Sequence, residues 1–140
     1  MYSIGSRQEH ALLYMEHPSR PRAATVLVVD DYASVCELIA TKLAAAGYRV
    51  FTALGGEDAQ AMITKSPGLS IDLLITDIEM PRMRGEDLAA WLQRAQPTAK
   101  VLFMSTYKND VRLNSPFAFL QKPFKPDLLT SMVQGLLTQC

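Results

Sequence analysis

The sequence predicts an α/β domain with a single doubly wound, five-stranded parallel sheet and helices on both of its faces. Five short runs of β-branched and aliphatic residues lie along the chain, at residues 25–29, 48–52, 71–76, 100–104 and 117–120. Such runs are typical of parallel strands that are covered on both faces. Segments with the apolar spacing of amphipathic helices separate them. The short connections favour right-handed crossovers between successive parallel strands.

The helix after the first run has a clear predicted end. Its apolar residues recur with helical spacing at Val35, Leu38, Ile39, Leu43 and Ala46. Gly47 comes next in the chain. Because glycine adopts the left-handed backbone conformation without steric strain, we expect Gly47 to end this helix.

Three further helices complete the alternation of strands and helices. Their apolar positions are Ala59, Met62 and Ile63; Leu88, Trp91, Leu92 and Ala95; and Leu129, Met132, Val133 and Leu136. Pro67 and Pro97 follow the first two of these helices, and Pro126 lies in the first turn of the last. The apolar spacing also predicts that Trp91 lies in the core.

Composition favours one domain and disfavours two classes of partner, nucleic acid and membranes. A chain of 140 residues, 49% of them hydrophobic, is long enough for a single core. The chain has 14 basic and 14 acidic residues, so no overall charge attracts it to nucleic acid or to an anionic membrane. We therefore expect no direct nucleic-acid partner and no membrane partner.

The chain ends and the cysteines indicate the domain boundary and the compartment. Residues 1–24 show no sustained apolar period and predict a flexible arm, followed by one domain over residues 25–140. The apolar cluster at residues 11–15 is too short for a signal peptide or a membrane span. Cys36 and Cys140 predict neither a disulfide framework nor a zinc site, which fits a reducing cytoplasm.

Polar side chains follow four of the five predicted strands. They are Asp30 and Asp31 after the first strand, Asp77 after the third, Ser105 after the fourth and Lys122 after the fifth. Ligands of doubly wound sheets bind beyond the carboxyl ends of the strands, so these side chains should converge. Taken singly, each has an ordinary explanation as a helix cap, a turn hydroxyl or a surface charge. Taken together, the three carboxylates would repel one another unless a cation neutralised them, and all-oxygen ligation suits Mg²⁺ or Mn²⁺.

The order of these residues resembles the signature of response regulator receiver domains. The match consists of the Asp30-Asp31 pair, Asp77 within the segment TDIEMP at residues 76–81, Ser105, and Lys122 followed by Pro123. The resemblance covers residues 25–138, and residues 100–107 and 117–124 are similar to receivers found in hybrid sensor kinases. It implies the strand order 2-1-3-4-5 and a cis peptide bond before Pro123.

The resemblance implies a chemical role for five residues. Asp77 would be the phosphoacceptor, and its carboxylate would attack a phosphohistidine to form an aspartyl phosphate. Asp31, Asp77 and the backbone carbonyl of Glu79 would ligate the metal ion, with Asp30 contributing mainly through water. Lys122 would stabilise the negative charge of the transferring phosphoryl group.

The same resemblance implies a conformational switch after the transfer. Ser105 would donate its hydroxyl to a phosphoryl oxygen, and Phe119 would rotate into the vacated space. Lys122 follows Ser105 by 17 positions, fewer than is usual in the family, so residues 108–115 predict a shortened or irregular fourth helix. Because the family commonly meets partners on the surface around this helix, the shortening could change the output surface.

Glu79 flanks the path by which water reaches the phosphoryl group in the family. The resemblance therefore implies that Glu79 tunes the lifetime of the phosphorylated state. From the sequence, its carboxylate could hold a water molecule, form an ionic contact with Lys122 or Arg82, or simply be solvated.

The resulting expectation is a single-domain response regulator. It would accept a phosphoryl group on Asp77 from a sensor histidine kinase or a histidine phosphotransfer protein, and would signal by binding an unknown output protein. It would promote its own phosphorylation and dephosphorylation, without being an enzyme in the usual sense. Two alternatives stay open. One is a receiver-like scaffold that binds a partner without phosphorylation; the other is an aspartate-nucleophile phosphatase, although Glu79 stands where such enzymes usually have an acid/base aspartate.

Overall fold

The computed structural model of the protein describes residues 23–106 and 117–138. The strands in these residues are β1 (Thr25–Val29), β2 (Arg49–Ala53), β3 (Leu73–Asp77), β4 (Lys100–Ser105) and β5 (Ala118–Gln121). The helices are α1 (Ala33–Ala45), α2 (Gly56–Thr64), α3 (Gly85–Ala95) and α4 (Pro126–Thr138). The predicted N-terminal arm up to residue 22 and the predicted shortened helix at residues 108–115 lie outside the described residues.

The strands form one parallel sheet with the order β2-β1-β3-β4-β5. The predicted fold class and strand order are confirmed. The register aligns the carboxyl ends of the central strands, since Val29 of β1 lies opposite Thr76 of β3. Asp77, the last residue of β3, lies opposite Met104 of β4. Asp30, directly after β1, therefore reaches the same edge of the sheet as Asp77.

Helices cover both faces of the sheet. Helices α2 and α3 pack on one face, where Leu27 and Val29 of β1 point, and α1 and α4 pack on the other, where Val26 and Val28 point. This alternation follows from the two-residue period of a strand. Strands β1 and β3 are buried along their whole length, which explains their continuous apolar sequence. No helix within residues 23–106 and 117–138 has both the length and the apolar character needed to cross a membrane.

Helix α3 packs through a face that differs slightly from the predicted one. Leu88, Ala89 and Leu92 are buried, whereas Ala95 is exposed. Trp91 is only partly buried against the core, so the prediction that it is a core residue is correct for only part of its side chain. The small side chain of Ala89 fits between helix and sheet, and the bulky indole lies at the margin of the contact.

Helix α1 ends as the sequence predicts. Gly47 has φ of +100°, in the region that favours glycine. Its N–H donates to the carbonyl of Ala44 (3.0 Å), and the N–H of Tyr48 donates to the carbonyl of Leu43 (3.1 Å). This pair of hydrogen bonds is a Schellman motif, which satisfies carbonyls that the helix itself leaves without partners.

The start of helix α3 lies directly against the end of strand β3. Gly85 is buried, and its N–H donates to the carbonyl of Ile78 at 3.0 Å. A Cβ atom at this position would overlap the backbone carbonyl oxygen of Asp77 and lie 3.1 Å from the Cα of Ile78. The absence of a side chain at Gly85 therefore allows α3 to contact the backbone of Asp77.

We predict that Gly85→Ala destabilises the fold by roughly 1–3 kcal/mol, the usual cost of forcing an extra methyl group into a packed site. The matched control is Gly135→Ala in helix α4, where a Cβ atom meets nothing within 4 Å. Alanine favours a helix interior over glycine by about 0.5–1 kcal/mol, so the control should gain stability. Urea denaturation of both variants measures the difference, and equal free energies of unfolding would contradict the close contact at Gly85.

Candidate functional site

Three carboxylates meet at the carboxyl edge of the sheet. Asp30 and Asp31 follow β1, and Asp77 is the last residue of β3. One carboxylate oxygen from each of the three lies within 4.8 Å of the other two. Asp30 is completely buried and Asp77 is 6% exposed. The fold thus brings together the three carboxylates that the sequence predicts at this site.

Both carboxylate oxygens of Asp30 already have protein donors. Its Oδ1 accepts the backbone N–H of Tyr32 at 2.9 Å, and its Oδ2 lies 2.6 Å from the Nζ of Lys122. Its backbone carbonyl also accepts a hydrogen bond from the thiol of Cys36, at 3.5 Å, a contact that the apolar setting of Cys36 in the sequence did not reveal. These contacts hold Asp30 in place and fit a residue that reaches a metal ion through water.

Lys122 brings positive charge into the carboxylate cluster. Its Nζ lies 2.6 Å from Asp30 Oδ2 and 3.6 Å from Asp77 Oδ1, and only 13% of its side chain is exposed. The backbone N–H of Lys122 donates to the carbonyl of Ser105 at 2.7 Å, which extends the pairing of β4 and β5 up to the site. The predicted cis peptide bond between Lys122 and Pro123 is confirmed.

Asp31 carries a polar atom that the protein leaves unsatisfied. Its Oδ1 is buried and has no hydrogen-bond partner among the described residues. A buried carboxylate oxygen without a donor is costly, because it has lost its hydration without compensation. An oxygen of this kind, beside two further carboxylates, is the donor set of a hard divalent cation such as Mg²⁺. The residues present therefore fit such an ion.

The environment of Asp77 disfavours its negative charge. The pKa of Asp77 is raised to about 6, with burial as the main cause. The ammonium group of Lys122 opposes the rise, and the negative charges of Asp30, Asp31 and Glu79 contribute to it. One ammonium group therefore compensates only part of the negative charge that is collected here. A cation at this edge would favour the ionised form of Asp77.

Ser105 lies at the end of β4 and contacts an acidic residue outside the cluster of three aspartates. Its side chain is completely buried, and its Oγ donates to the Oε1 of Glu79 at 3.3 Å. The Oε2 of Glu79 lies 3.4 Å from the Nη2 of Arg84, and the Nε of Arg84 lies 3.0 Å from the Oε1 of Glu86. Nothing in the sequence pattern pointed to Arg84.

Among the described residues, Glu79 has an ionic contact with an arginine other than the two cations that the sequence suggested, Lys122 and Arg82. Arg84 takes this place, whereas Arg82 pairs with Glu57 at 3.2 Å. The reason lies in a tight turn, in which the N–H of Met83 donates to the carbonyl of Pro81 at 2.8 Å and Arg82 has φ of +70°. This positive φ reverses the chain at Arg82 and is unusual for a residue other than glycine.

Phe119 lies in β5, opposite Phe103 of β4. Its ring is partly buried and packs on the core layer that α2 and α3 cover. Strand β5 pairs directly with β4, so Phe119 lies two strands away from β3, which ends at Asp77. The role of Phe119 in a switch stays a prediction.

A protein-family model matches most of the chain. The model described as the response regulator receiver domain matches residues 26–134. The chain belongs to the response regulator receiver family. The match includes all of the acidic residues, the hydroxyl and the lysine discussed above.

Relatives of this receiver occur in several kinds of protein. The present chain is 32% identical over 120 residues to the sensor kinase CckA of Brucella abortus, and the match covers 82% of this chain and 13% of the kinase. The solved structure of the chemotaxis protein CheY4 of Vibrio cholerae is similar, with 30% identity and a TM-score of 0.73. The match covers 83% of the present chain and 100% of the CheY4 chain. The solved structure of TrrA from Thermotoga maritima in complex with Mg²⁺ and BeF is also similar, with 32% identity and a TM-score of 0.68. The match covers 81% of the present chain and 99% of the TrrA chain. The receiver spans between 13% and 57% of the length of the first curated relatives.

We predict that Mg²⁺ raises the thermal stability of the protein, because an ion that binds only the folded state stabilises it by mass action. At about 100 times the dissociation constant this amounts to about 2.7 kcal/mol. Asp31→Asn should lose most of the effect, since it removes the charge of the unsatisfied carboxylate. The control is Asp58→Asn, an exposed acidic residue in the first turn of α2. Thermal melts followed by circular dichroism in Mg²⁺ and in EDTA measure the effect, and an unchanged Mg²⁺ response in Asp31→Asn would argue against this site.

Proposed function

We propose that this receiver accepts a phosphoryl group on Asp77 from a histidine kinase or a histidine phosphotransfer protein, with Mg²⁺ held by the acidic cluster. The phosphorylated form would signal by binding an output protein. The observation that carries the proposal is the Asp77 carboxylate, nearly buried and 3.6 Å from the ammonium group of Lys122. A buried carboxylate beside a cation, within a cluster of further acidic groups, combines a nucleophile with the charge that phosphoryl transfer needs.

In the proposed transfer, a carboxylate oxygen of Asp77 attacks the phosphorus atom of a phosphohistidine. The new oxygen–phosphorus bond forms as the nitrogen–phosphorus bond breaks, and the departing imidazole nitrogen keeps the electron pair of the broken bond. Lys122 stabilises the negative charge on the transferring group, and its pairing with Asp30 holds the ammonium in position beforehand. Such preorganisation accounts for most of what a loose phosphoryl-transfer transition state requires of a protein.

The metal ion has defined candidate ligands. Asp31, Asp77 and the backbone carbonyl of Glu79 would hold Mg²⁺, and Asp30 would contribute mainly through water. The bonded oxygens of Asp30 and the unsatisfied Oδ1 of Asp31 support this division between them. When bound, Mg²⁺ supplies a second centre of positive charge for the phosphoryl oxygens.

The response to phosphorylation would start at Ser105. Its hydroxyl would donate to a phosphoryl oxygen on Asp77 and draw the end of β4 toward the site, while Phe119 rotates into the space that is vacated. Asp77 and Met104 are paired in the sheet, and Ser105 follows Met104 directly, so the motion required is short. Two discrete positions of a packed side chain are a common basis for such switches.

Comparison with relatives supports both the donor and the metal. Relatives of this receiver include a sensor kinase and the structure of a receiver domain from a hybrid histidine kinase. Another similar structure contains Mg²⁺ and BeF, in which BeF stands in for a phosphoryl group. We extend these properties to the present chain as part of the proposal.

We predict that incubation with acetyl phosphate and Mg²⁺ adds one phosphoryl group to the wild-type protein, as measured by intact mass. EDTA should abolish the gain, and so should Asp77→Ala, because the attacking carboxylate is missing. Asp58→Asn, which changes an exposed carboxylate outside the site, should still be phosphorylated. If no adduct forms and beryllofluoride also fails to bind, the scaffold that acts without phosphorylation becomes the better explanation.

A further inference from the structure

A chain of polar contacts leads from the switch hydroxyl to the start of helix α3. Ser105 Oγ donates to Glu79 Oε1 at 3.3 Å, Glu79 Oε2 lies 3.4 Å from Arg84 Nη2, and Arg84 Nε lies 3.0 Å from Glu86 Oε1. These four residues, Ser105, Glu79, Arg84 and Glu86, are called the Glu79 network below. The network binds Ser105 to a carboxylate in the form that carries no phosphoryl group.

A hydroxyl has one proton and can donate it to one acceptor at a time. In the proposed switch, Ser105 gives this proton to a phosphoryl oxygen on Asp77. In the structure, the Oε1 atom of Glu79 accepts it. Glu79 and the phosphoryl group are therefore alternative acceptors for the same hydroxyl, and a stronger hold by Glu79 means a weaker response to phosphorylation.

Arg84 keeps Glu79 where it can accept this proton. The guanidinium uses one nitrogen for Glu79 and another for Glu86, and Glu86 lies in the first turn of α3. Helix α3 is in turn fixed against β3 through Gly85. A loop carboxylate that is tied to a helix in this way samples fewer positions than a solvated one, so its hydrogen bond to Ser105 forms at a lower entropic cost.

We propose that Glu79, positioned by Arg84, restrains Ser105 in the unphosphorylated state and thereby sets how readily the receiver switches. This inference rests on the proposed function, because the competing acceptor is the phosphoryl oxygen on Asp77. The side chains of Glu79 and Arg84 have a positioning role here, since they act through Ser105 and touch no reacting atom.

The test must separate hydrogen bonding from charge, because any loss of the Glu79 carboxylate also relieves repulsion toward an anionic phosphoryl group. Glu79→Gln removes the charge but keeps an oxygen that can accept the Ser105 proton. Glu79→Ala removes both. Neither substitution alters the backbone carbonyl of Glu79, which is a candidate metal ligand. The difference between the two variants therefore isolates the hydrogen bond.

We predict that Glu79→Ala binds beryllofluoride in Mg²⁺ about threefold to tenfold more tightly than Glu79→Gln, as measured by isothermal titration calorimetry. This range corresponds to one net hydrogen bond. The difference should disappear when both substitutions are repeated in a Ser105→Ala protein, which completes a double-mutant cycle. If the two variants differ by the same factor in both backgrounds, the effect does not pass through Ser105 and the inference is wrong. If they bind beryllofluoride equally in the background that retains Ser105, Glu79 acts by charge alone and the inference is again wrong.

The arginines provide a matched pair of variants. Arg84→Ala should tighten beryllofluoride binding in the same direction as Glu79→Ala, because Glu79 loses its fixed position. Arg82→Ala should leave the affinity unchanged, since Arg82 pairs with Glu57 outside the network. Equal effects of the two arginine substitutions would indicate a general loss of positive charge and would overturn the role given to Arg84.

A second measurement needs no metal ion and no phosphoryl analogue. The N–H of Lys122 donates to the carbonyl of Ser105. Release of Ser105 should therefore shift the amide signals of both residues in a nitrogen–proton correlation spectrum of the metal-free protein. Glu79→Ala and Arg84→Ala should produce these shifts, and Arg82→Ala should not. Unchanged signals in Glu79→Ala would contradict the restraint. A wild-type protein that fails to bind beryllofluoride would instead refute the proposed function, so the two failures are distinguishable.

Discussion

The buried ion pair between Lys122 and Asp30 is the contact on which the rest of the site depends. It joins the residue after β5 to the residue after β1, and so spans the ends of the two strands between them. Removing two charges from water is costly, and such a pair persists only when both partners are well satisfied. Asp30 meets this condition through its second hydrogen bond, to Tyr32. The pair delivers an ammonium group to Asp77, which has no other described cation beside its carboxylate.

The remaining charge imbalance explains why the neighbouring aspartates differ. Lys122 compensates roughly one of the three carboxylates that lie within 4.8 Å of one another. Asp30 is fully bonded within the protein, whereas the buried Oδ1 of Asp31 has no partner among the described residues. Adjacent residues of the same type thus have different environments, because the carboxylate of Asp30 is satisfied by protein donors and that of Asp31 has a buried oxygen that an external cation would satisfy. The strand end after β1 provides both, since successive side chains point in different directions.

How far the sequence predicts this site depends on the range of the interactions. Parallel strands deliver their carboxyl ends to one edge, so the meeting of Asp30 and Asp77 follows from local patterns alone. The contact between Glu79 and Arg84 does not, because it requires the reversal of the chain at Arg82, whose positive φ no spacing rule predicts for a residue other than glycine. Local patterns also predicted the strand bounds to within one or two residues. The packing face of α3 was predicted less well, because it depends on side-chain volumes at the sheet.

The contact between Gly85 and the backbone of Asp77 has a consequence for spectroscopy. Trp91 is the single tryptophan of the chain and lies on helix α3, roughly two turns beyond Gly85. A displacement of the first residue of α3 would move the helix as a body, and the indole is only partly buried, in a position where tryptophan emission depends on solvent exposure. The molecule therefore carries an intrinsic optical probe on the helix that contacts the backbone of Asp77. A rearrangement at Asp77 that displaces α3 should change the tryptophan emission, which would report it without a dye and without altering any residue of the site.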